Sequence, residues 1–169
     1  MSTENTGRFE SREEVVEILR RDRDLSGADL SGLDLAGIKL IGLNMEGADL
    51  SNADLRGATL AVGNLAGVDL AGALLNGARI AAANLEGASL AEADLTESSW
   101  FAVNVAGADF GGARTTGAHA SGVAWSQAKV PPAEVPEPIA VPPWLPALVA
   151  GIGGVLAVAV ILAMRRRRA

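Results

Sequence analysis

Large apolar residues recur at every fifth position from Leu25 to Trp125, with no insertion that breaks the register. Of the 21 positions in this register, 19 carry a large apolar side chain, and the exceptions are Thr115 and Ala120. An α-helix repeats every ~3.6 residues and a strand every ~2, so neither element explains the period. A fixed self-similar period is typical of stacked repeats, whose units bury their apolar faces only against neighbouring units.

The residues around each central apolar position are also restricted. The residue two before it is usually Ala, the residue just before it is Asp or Asn in 12 of 21 units, and the residue two after it is Gly in 14. In an extended segment, apolar residues two apart point inward together and the polar residue between them points outward. Gly permits the backbone of a tight corner. Each unit is therefore predicted to be one short side followed by a corner.

Four such sides would close a coil of 20 residues, so residues 20 apart should stack on one another. Two outward columns of the sequence support this coil length. One is an asparagine ladder and the other is an aspartate column with its fourth member two coils further on. Their members are Asn44, Asn64, Asn84 and Asn104, and Asp29, Asp49, Asp69 and Asp109.

The units "GADLS", "NADLR", "AANLEG" and "GADFG" resemble the pentapeptide-repeat family, whose pattern is A(D/N)LxG. The resemblance covers residues 23–127. It implies an all-β solenoid, a right-handed quadrilateral β-helix of about five coils. The pattern departs from the family late in the chain, where Glu92 and Glu97 replace Gly at two corners.

Both ends of such a rod need a cap, because the terminal coils would otherwise expose core and unpaired backbone. Residues 1–10 are expected to be disordered, and residues 11–22 are predicted to form a capping helix with Ser11 and Glu14 as a capping box. The alternative is a partner-binding amphipathic helix. At the other end, inward aromatic residues predict a plugged core. The alternative there is a homodimer contact, because members of the family often pair through their C-terminal coils.

The segment after the rod is rich in proline. Residues 128–143 hold all but one of the seven prolines. Such a composition favours extended polyproline II, so the segment is predicted to be a semi-rigid linker that holds the rod away from the C-terminal residues.

A membrane anchor is predicted after this linker. Residues 144–164 are 21 consecutive uncharged residues, long enough to cross a bilayer as one transmembrane helix, and a basic tail follows at 165–169. Small residues four apart could let two such helices pack as a homodimer. Membrane lipid is thus an expected partner of residues 144–168. The anchor residues are Trp144, Gly151, Gly154, Arg165, Arg166, Arg167 and Arg168.

The orientation of this single-pass anchor has two interpretations. The positive-inside rule places the arginine tail in the cytoplasm and the repeat rod outside. However, the charged N-terminal residues 1–24 show no apolar secretion signal. We therefore expect a tail anchor with a cytoplasmic repeat domain, and the extracytoplasmic rod is the alternative.

The chemistry of the rod argues against an enzyme. The chain has no Cys and one His, His119, which occupies an outward column and is interpreted as a solvated residue. No catalytic residue, cofactor site or metal site is expected. Residues 23–127 carry 12 acids and 5 bases, so direct binding to nucleic acid is not expected.

The function predicted from these features is a non-enzymatic, membrane-tethered scaffold or protein-interaction module. The alternative is an acidic DNA mimic that regulates or inhibits a DNA-binding enzyme such as a topoisomerase, as the quinolone-resistance members of the resembled family do. A passive structural stalk is a third interpretation. The candidate partner face consists of two acidic columns on neighbouring sides. Its residues are Asp29, Asp49, Asp69 and Asp109, with Asp34, Asp54 and Asp94.

Overall fold

Backbone hydrogen bonds join successive coils throughout the repeat region. The computed structural model describes residues 7–138. In it the Leu50 N–H donates to the Asp69 carbonyl at 2.7 Å, and the Asn64 N–H donates to the Leu43 carbonyl at 2.9 Å. Parallel bridges between residues 20 apart link four columns of five residues each within the repeats. The predicted all-β solenoid of about five coils is confirmed.

The four sides of each coil are called faces A to D, in chain order. The outward residue of each side, just before the central apolar residue, defines the face. Because four sides close one coil, face B lies opposite face D. The outward columns are Asp24, Asn44, Asn64, Asn84 and Asn104 on face A; Asp29, Asp49, Asp69, Ser89 and Asp109 on face B; Asp34, Asp54, Leu74, Asp94 and Arg114 on face C; and Lys39, Thr59, Arg79, Ser99 and His119 on face D.

Face D carries the regular strands of the described residues, and faces A to C are joined by single bridges. The six strands form one sheet in chain order, and the first five are parallel with a shift of 20 residues. The strands are β1 (Lys39–Ile41), β2 (Thr59–Ala61), β3 (Arg79–Ala81), β4 (Ser99–Phe101), β5 (His119–Ser121) and β6 (Glu137–Pro138).

The core is a set of stacked leucine columns lined by alanine. Leu50, Leu70 and Leu90 lie 20 residues apart and are each at most 1% exposed. On face D, Trp100 stacks between Ile80 and Ala120, so a large ring lies beside a small residue as the core ends. All residues that the structure describes, except Pro138, belong to the first of two compact units, which ends at Glu137.

The corners require left-handed backbone. Every position two after a central residue, from 27 to 122, has a positive φ. Most of these positions are Gly, which adopts this conformation without steric cost. The non-glycine residues at corners are Asn52, Val62, Ala82, Glu92, Glu97 and Ala102.

The N-terminal end is closed by helix α1 (Arg12–Arg21), within the predicted segment. The Ser11 hydroxyl accepts from the Glu14 N–H at 3.4 Å, as the capping box predicts. The Glu14 carboxylate instead accepts from the Glu10 N–H at 3.0 Å, so the second half of the box is shifted by one residue. Val15 of the helix is fully buried on the first coil. The helix therefore covers the end of the core.

The C-terminal end is closed by three aromatic rings. Trp100 and Phe110 are fully buried, and Trp125 lies on a short 3₁₀-helix, Trp125–Gln127. The ring centroids lie 5.3–5.9 Å apart in edge-to-face geometry. The dimer contact predicted at this end stays a prediction.

The linker prediction needs a correction for residues 128–138, which pack on the rod. The Phe110 N–H donates to the Val130 carbonyl at 2.8 Å, and the Thr115 hydroxyl donates to the Glu134 carbonyl at 2.5 Å. Pro132 and Pro136 are buried. The last coil has no further coil to accept its N–H groups, and the extended proline segment supplies carbonyls for them. A proline-rich composition is therefore as compatible with this ordered cap as with the predicted spacer.

Within residues 7–138, no helix has the length and apolar character needed to cross a membrane. Several predictions fall outside the described residues: the transmembrane helix at 144–164, the basic tail, residues 139–143 of the linker and residues 1–6 of the N-terminus. The predicted disorder is wrong for residues 7–10, because the Phe9 N–H donates to the Asp29 carbonyl at 2.9 Å and Phe9 is buried.

Candidate functional site

The aspartates of face B hold the corners of the coil. The Oδ1 atoms of Asp29, Asp49 and Asp69 accept the backbone N–H two residues on, at 3.1, 2.8 and 2.9 Å. This local contact is the reason the position favours Asp or Asn. Among the described residues, the Oδ2 atoms of these three carboxylates accept no hydrogen bond. Three carboxylates in neighbouring coils thus keep one oxygen each for an external donor.

Local donors also favour the ionised form of Asp29 on face B and of Asp24 on face A. The Ser31 hydroxyl donates to Asp29 Oδ1 at 2.6 Å. This bond, followed by that of the Ser31 N–H, holds the pKa of Asp29 below its ordinary value. The hydroxyl and N–H of Ser26 lower the pKa of Asp24 in the same way.

The second acidic column, on face C, is partly neutralised by neighbouring bases. Arg56 Nε donates to Asp54 Oδ1 at 2.9 Å and lowers the pKa of Asp54. Arg114 pairs with Asp94 at 3.1 Å. On face B, Lys129 approaches Asp109 at 3.6 Å.

The predicted partner face therefore divides into two sets. Asp54, Asp94 and Asp109 have basic partners. Asp29, Asp34, Asp49 and Asp69 form no ion pair with any residue from 7 to 138. Leu74 and Ser89 interrupt the columns of faces C and B. The continuous acidic surface is thus confined to the first three coils.

The asparagine ladder of face A is satisfied from within, as the spacing predicts. The Nδ2 of each Asn donates to the Oδ1 of the residue one coil earlier, at 2.8–3.3 Å. Each Oδ1 also accepts the backbone N–H two residues on. Face A therefore shows that a neutral side chain maintains the corner and bonds to its neighbours.

The structure also shows a segregation of charge that the sequence analysis missed. The acidic residues of the coils lie on faces A, B and C, and the outward column of face D is basic or neutral. The signal is present in the sequence, because assigning each charge to its side of the 20-residue coil reveals it. The total charge of the repeats conceals it.

No candidate metal site occurs in the described part of the chain. No group of three or more His, Cys, Asp or Glu residues could hold a metal ion there. His119 is half-buried on face D, where it lies in register with Ser99 one coil earlier.

The geometry defines a four-sided β-solenoid with a helix at one end and aromatic rings at the other. The family model for pentapeptide repeats matches residues 24–60 and 64–99 with eight copies. Over these residues the chain is similar to the pentapeptide-repeat family, as its sequence pattern indicates. No curated protein matches the chain.

Solved structures are similar to part of this chain. The pentapeptide-repeat protein Rfr23 from the cyanobacterium Cyanothece 51142 is 23% identical, with a TM-score of 0.54, over 68% of this chain and 99% of that protein. HetL from Nostoc sp. strain PCC 7120, which is involved in heterocyst differentiation regulation, is 29% identical over 66% of this chain and 55% of its own, with a TM-score of 0.43. Trypsin-treated QnrB1, a plasmid-mediated fluoroquinolone resistance protein, is 20% identical over 73% and 74%, with a TM-score of 0.47. The likeness to Rfr23 supports the fold alone.

Proposed function

We propose that this protein is a non-enzymatic interaction module that binds a basic protein partner through face B while residues 144–168 hold it at a membrane. The observation that carries the binding proposal is the stack of Asp29, Asp49 and Asp69, each with one oxygen free of hydrogen bonds from residues 7–138. The pentapeptide repeats of face B contain no Lys or Arg. A basic partner would therefore meet uncompensated negative charge at Asp49 and Asp69.

The fold does not need this charge, which makes the proposal testable. Asp49→Asn with Asp69→Asn would keep both Oδ1 acceptors, and each new amide could donate to the residue one coil earlier, as on face A. Removing stacked like charges also relieves repulsion. We expect unchanged or higher thermal stability of the double variant and weaker binding of the partner.

Photo-crosslinking in cells measures this loss. A photoreactive residue at Ala71, beside the acidic stack, should give a crosslinked product that disappears in the double variant. The matched control is Glu46→Gln with Glu86→Gln, which removes two charges from face A. If both double variants reduce the product equally, net charge and not face B is responsible, and the proposal fails.

The membrane part of the proposal rests on the 21 uncharged residues at 144–164 and the four arginines that follow. Deleting residues 144–169 should move the protein from the membrane fraction to the supernatant. Protease treatment of intact and opened cells would then report which side of the membrane holds the rod. A truncated chain that still sediments with membranes would contradict the anchor.

The same stacked carboxylates also favour a second candidate, the DNA mimic. Against it, Ser89 interrupts the column, and Asp54, Asp94 and Asp109 have basic partners. Purified rod added to a topoisomerase supercoiling assay decides between the two. Inhibition or protection that disappears with Asp49→Asn and Asp69→Asn would favour the mimic over the scaffold.

A further inference from the structure

Acidic residues lie on face B of the rod, and basic residues lie on the opposite face D. The five repeats of face B contain five acidic residues and no Lys or Arg. The five repeats of face D contain no Asp or Glu. They contain Lys39, Arg79 and the single histidine, His119. Because these faces lie on opposite sides of the coil, the rod has an acidic side and a cationic side.

The cations of face D are available to an external partner. Lys39 and Arg79 are exposed, and neither forms an ion pair within residues 7–138. Arg23 adds a third cation at the adjoining corner, because its Nη1 lies 3.1 Å from the position that a Cβ on Gly42 would occupy. These guanidinium and ammonium groups are grouped along the first three coils.

An apolar edge runs beside these cations. On face D, the two residues that follow the central position are both apolar in the second, third and fourth coils. In the first coil they are Ile41 and Gly42. Ile41 is 45% exposed and Val62 is 56% exposed. Directly after the central residue on face A, the chain instead carries Glu46 and Glu86. The edge of face D therefore combines exposed apolar side chains with a complete lack of acids in the repeats.

Face D is also a regular surface. Its strands β1 to β5 are parallel and in register, and four intervals of ~4.8 Å give a surface about 19 Å long. Strand β6 adds Glu137 beyond β5. The cationic and apolar groups are therefore concentrated at the N-terminal end of the face.

We propose that face D docks on an anionic lipid surface, with the acidic face B directed away from it. Lys39, Arg79 and Arg23 would meet anionic headgroups, and Ile41 and Val62 would enter the interfacial layer. A flat sheet suits a planar bilayer, and acids confined to the other faces avoid repulsion by the lipid. Three cations bind weakly by themselves, so docking needs the high local concentration that an anchor supplies. In this respect the inference rests on the proposed membrane attachment.

The absence of cysteine allows a site-specific test. Ala81→Cys on face D and Ala71→Cys on face B lie two repeats apart, each just after the central residue, and both sites are half-buried. The core cluster and both end caps lie within residues 7–138, so the chain ending at Pro138 is used. Each variant is labelled with a polarity-sensitive fluorophore and tethered by a C-terminal histidine tag to vesicles that contain a nickel-chelating lipid.

On vesicles with phosphatidylserine we expect a blue-shifted, brighter signal from the label at 81 and no change at 71. Vesicles of phosphatidylcholine should give a much smaller change. Lys39→Glu with Arg79→Glu should abolish the response, and Arg56→Glu with Arg114→Glu, an equal change of charge on face C, should leave it intact. Circular dichroism and thermal unfolding establish that each variant is folded.

Several outcomes would overturn the inference. These are no change at 81 on tethered anionic vesicles, equal changes at 71 and 81, or equal losses with both charge-reversed pairs. A response at 81 to polyglutamate with none to anionic vesicles would assign face D to acidic protein chains instead. The anchor is tested separately by fractionation of the full chain. A full chain that stays in the supernatant would refute the membrane attachment, and the tethered rod would still report on face D.

Discussion

Val62 is a β-branched residue in the left-handed region, with φ of 53°, at a corner where the other coils have Gly or Ala. Left-handed backbone costs an L-residue about 1–2 kcal/mol, and the extra entropy of a glycine in the unfolded chain costs about 0.4–1 kcal/mol. The first quantity is larger, and the side chain is 56% exposed. We therefore expect Val62→Gly to stabilise the protein by about 0.5–1 kcal/mol in urea unfolding.

The matched control for this prediction is Ala66→Gly, at a position that has no positive φ. Here glycine relieves no strain, so the entropic cost alone remains and stability should fall by about 0.4–1 kcal/mol. If both variants lose stability, the corner at Val62 is not strained.

Ser98 occupies a position where the repeat favours Ala, and the structure gives the reason. Its hydroxyl accepts from Trp100 Nε1 at 2.8 Å and donates to the Leu95 carbonyl at 2.6 Å, and both side chains are fully buried. Ser98→Ala restores the repeat pattern but leaves the indole N–H without a partner. We expect a loss of about 1–3 kcal/mol in the free energy of unfolding.

A double-mutant cycle isolates this contact. In Trp100→Phe the indole N–H is absent, so adding Ser98→Ala should cost much less than it does beside tryptophan. Equal costs in both backgrounds would show that the hydroxyl does not serve Trp100.

At the scale of the stacked column, two leucines of the same coil distinguish the contribution of core packing to stability from the mere presence of a leucine. Leu70 is an inward residue and is 1% exposed, whereas Leu74 is an outward residue of face C and is 39% exposed. Leu70→Ala should cost about 2–5 kcal/mol through lost burial and the cavity left between Leu50 and Leu90. Leu74→Ala should change stability by less than about 0.5 kcal/mol. Similar unfolding midpoints for the two variants would contradict the stacking.

The coil was predictable because it depends on a physical repeat. Residues at positions i and i+20 must stack when four sides close, so the asparagine ladder already indicates the coil length. The corners were predictable from Gly, and where Val62 or Glu92 replaces it the backbone of the neighbouring coils imposes the same positive φ. Local spacing thus determined the element, even at positions whose own residue disfavours the conformation.

The candidate site was less predictable, since it depends on individual residues that depart from the repeat pattern and on the partners that they meet. Asp49 and Asp54 occupy equivalent positions in consecutive repeats, yet only Asp54 meets an arginine, Arg56. The contact of Ser98 with Trp100 likewise arises from two departures from the repeat that compensate each other. Such pairs become visible only when the side chains are placed.

At the scale of the whole molecule, the ends of the solenoid limit its stability. Each interior coil supplies hydrogen-bond partners for the next, and a terminal coil has none on one side. Residues 7–9 pair with the first coil, because the Phe9 N–H donates to the Asp29 carbonyl and the Asp29 N–H donates to the Gly7 carbonyl. Helix α1 covers the core above this coil. Residues 128–138 do the same at the other end, which the proline-rich composition did not indicate. The two caps have different structures, but both supply hydrogen-bond partners to a terminal coil and cover the end of the core.

The C-terminal cap makes a prediction about where the chain can be shortened. A chain that ends at Pro138 should keep a cooperative unfolding transition, whereas one that ends at Gln127 loses the acceptors for the Phe110 N–H and the Thr115 hydroxyl. Each buried polar group left unpaired costs about 1–3 kcal/mol. We therefore expect the shorter chain to unfold at a clearly lower temperature in a thermal scan followed by circular dichroism.

Point substitutions distinguish the stabilising effect of the cap from the effect of shortening the chain. Pro132 is buried on the rod and its neighbour Pro131 is exposed. In the chain that ends at Pro138, Pro132→Ala should lower the unfolding temperature, because it removes packed surface at the end of the core. Pro131→Ala changes the same chemistry without that contact and should have little effect. Equal effects of the two alanines, or equal unfolding temperatures for the two chain lengths, would mean that residues 128–138 do not stabilise the last coil.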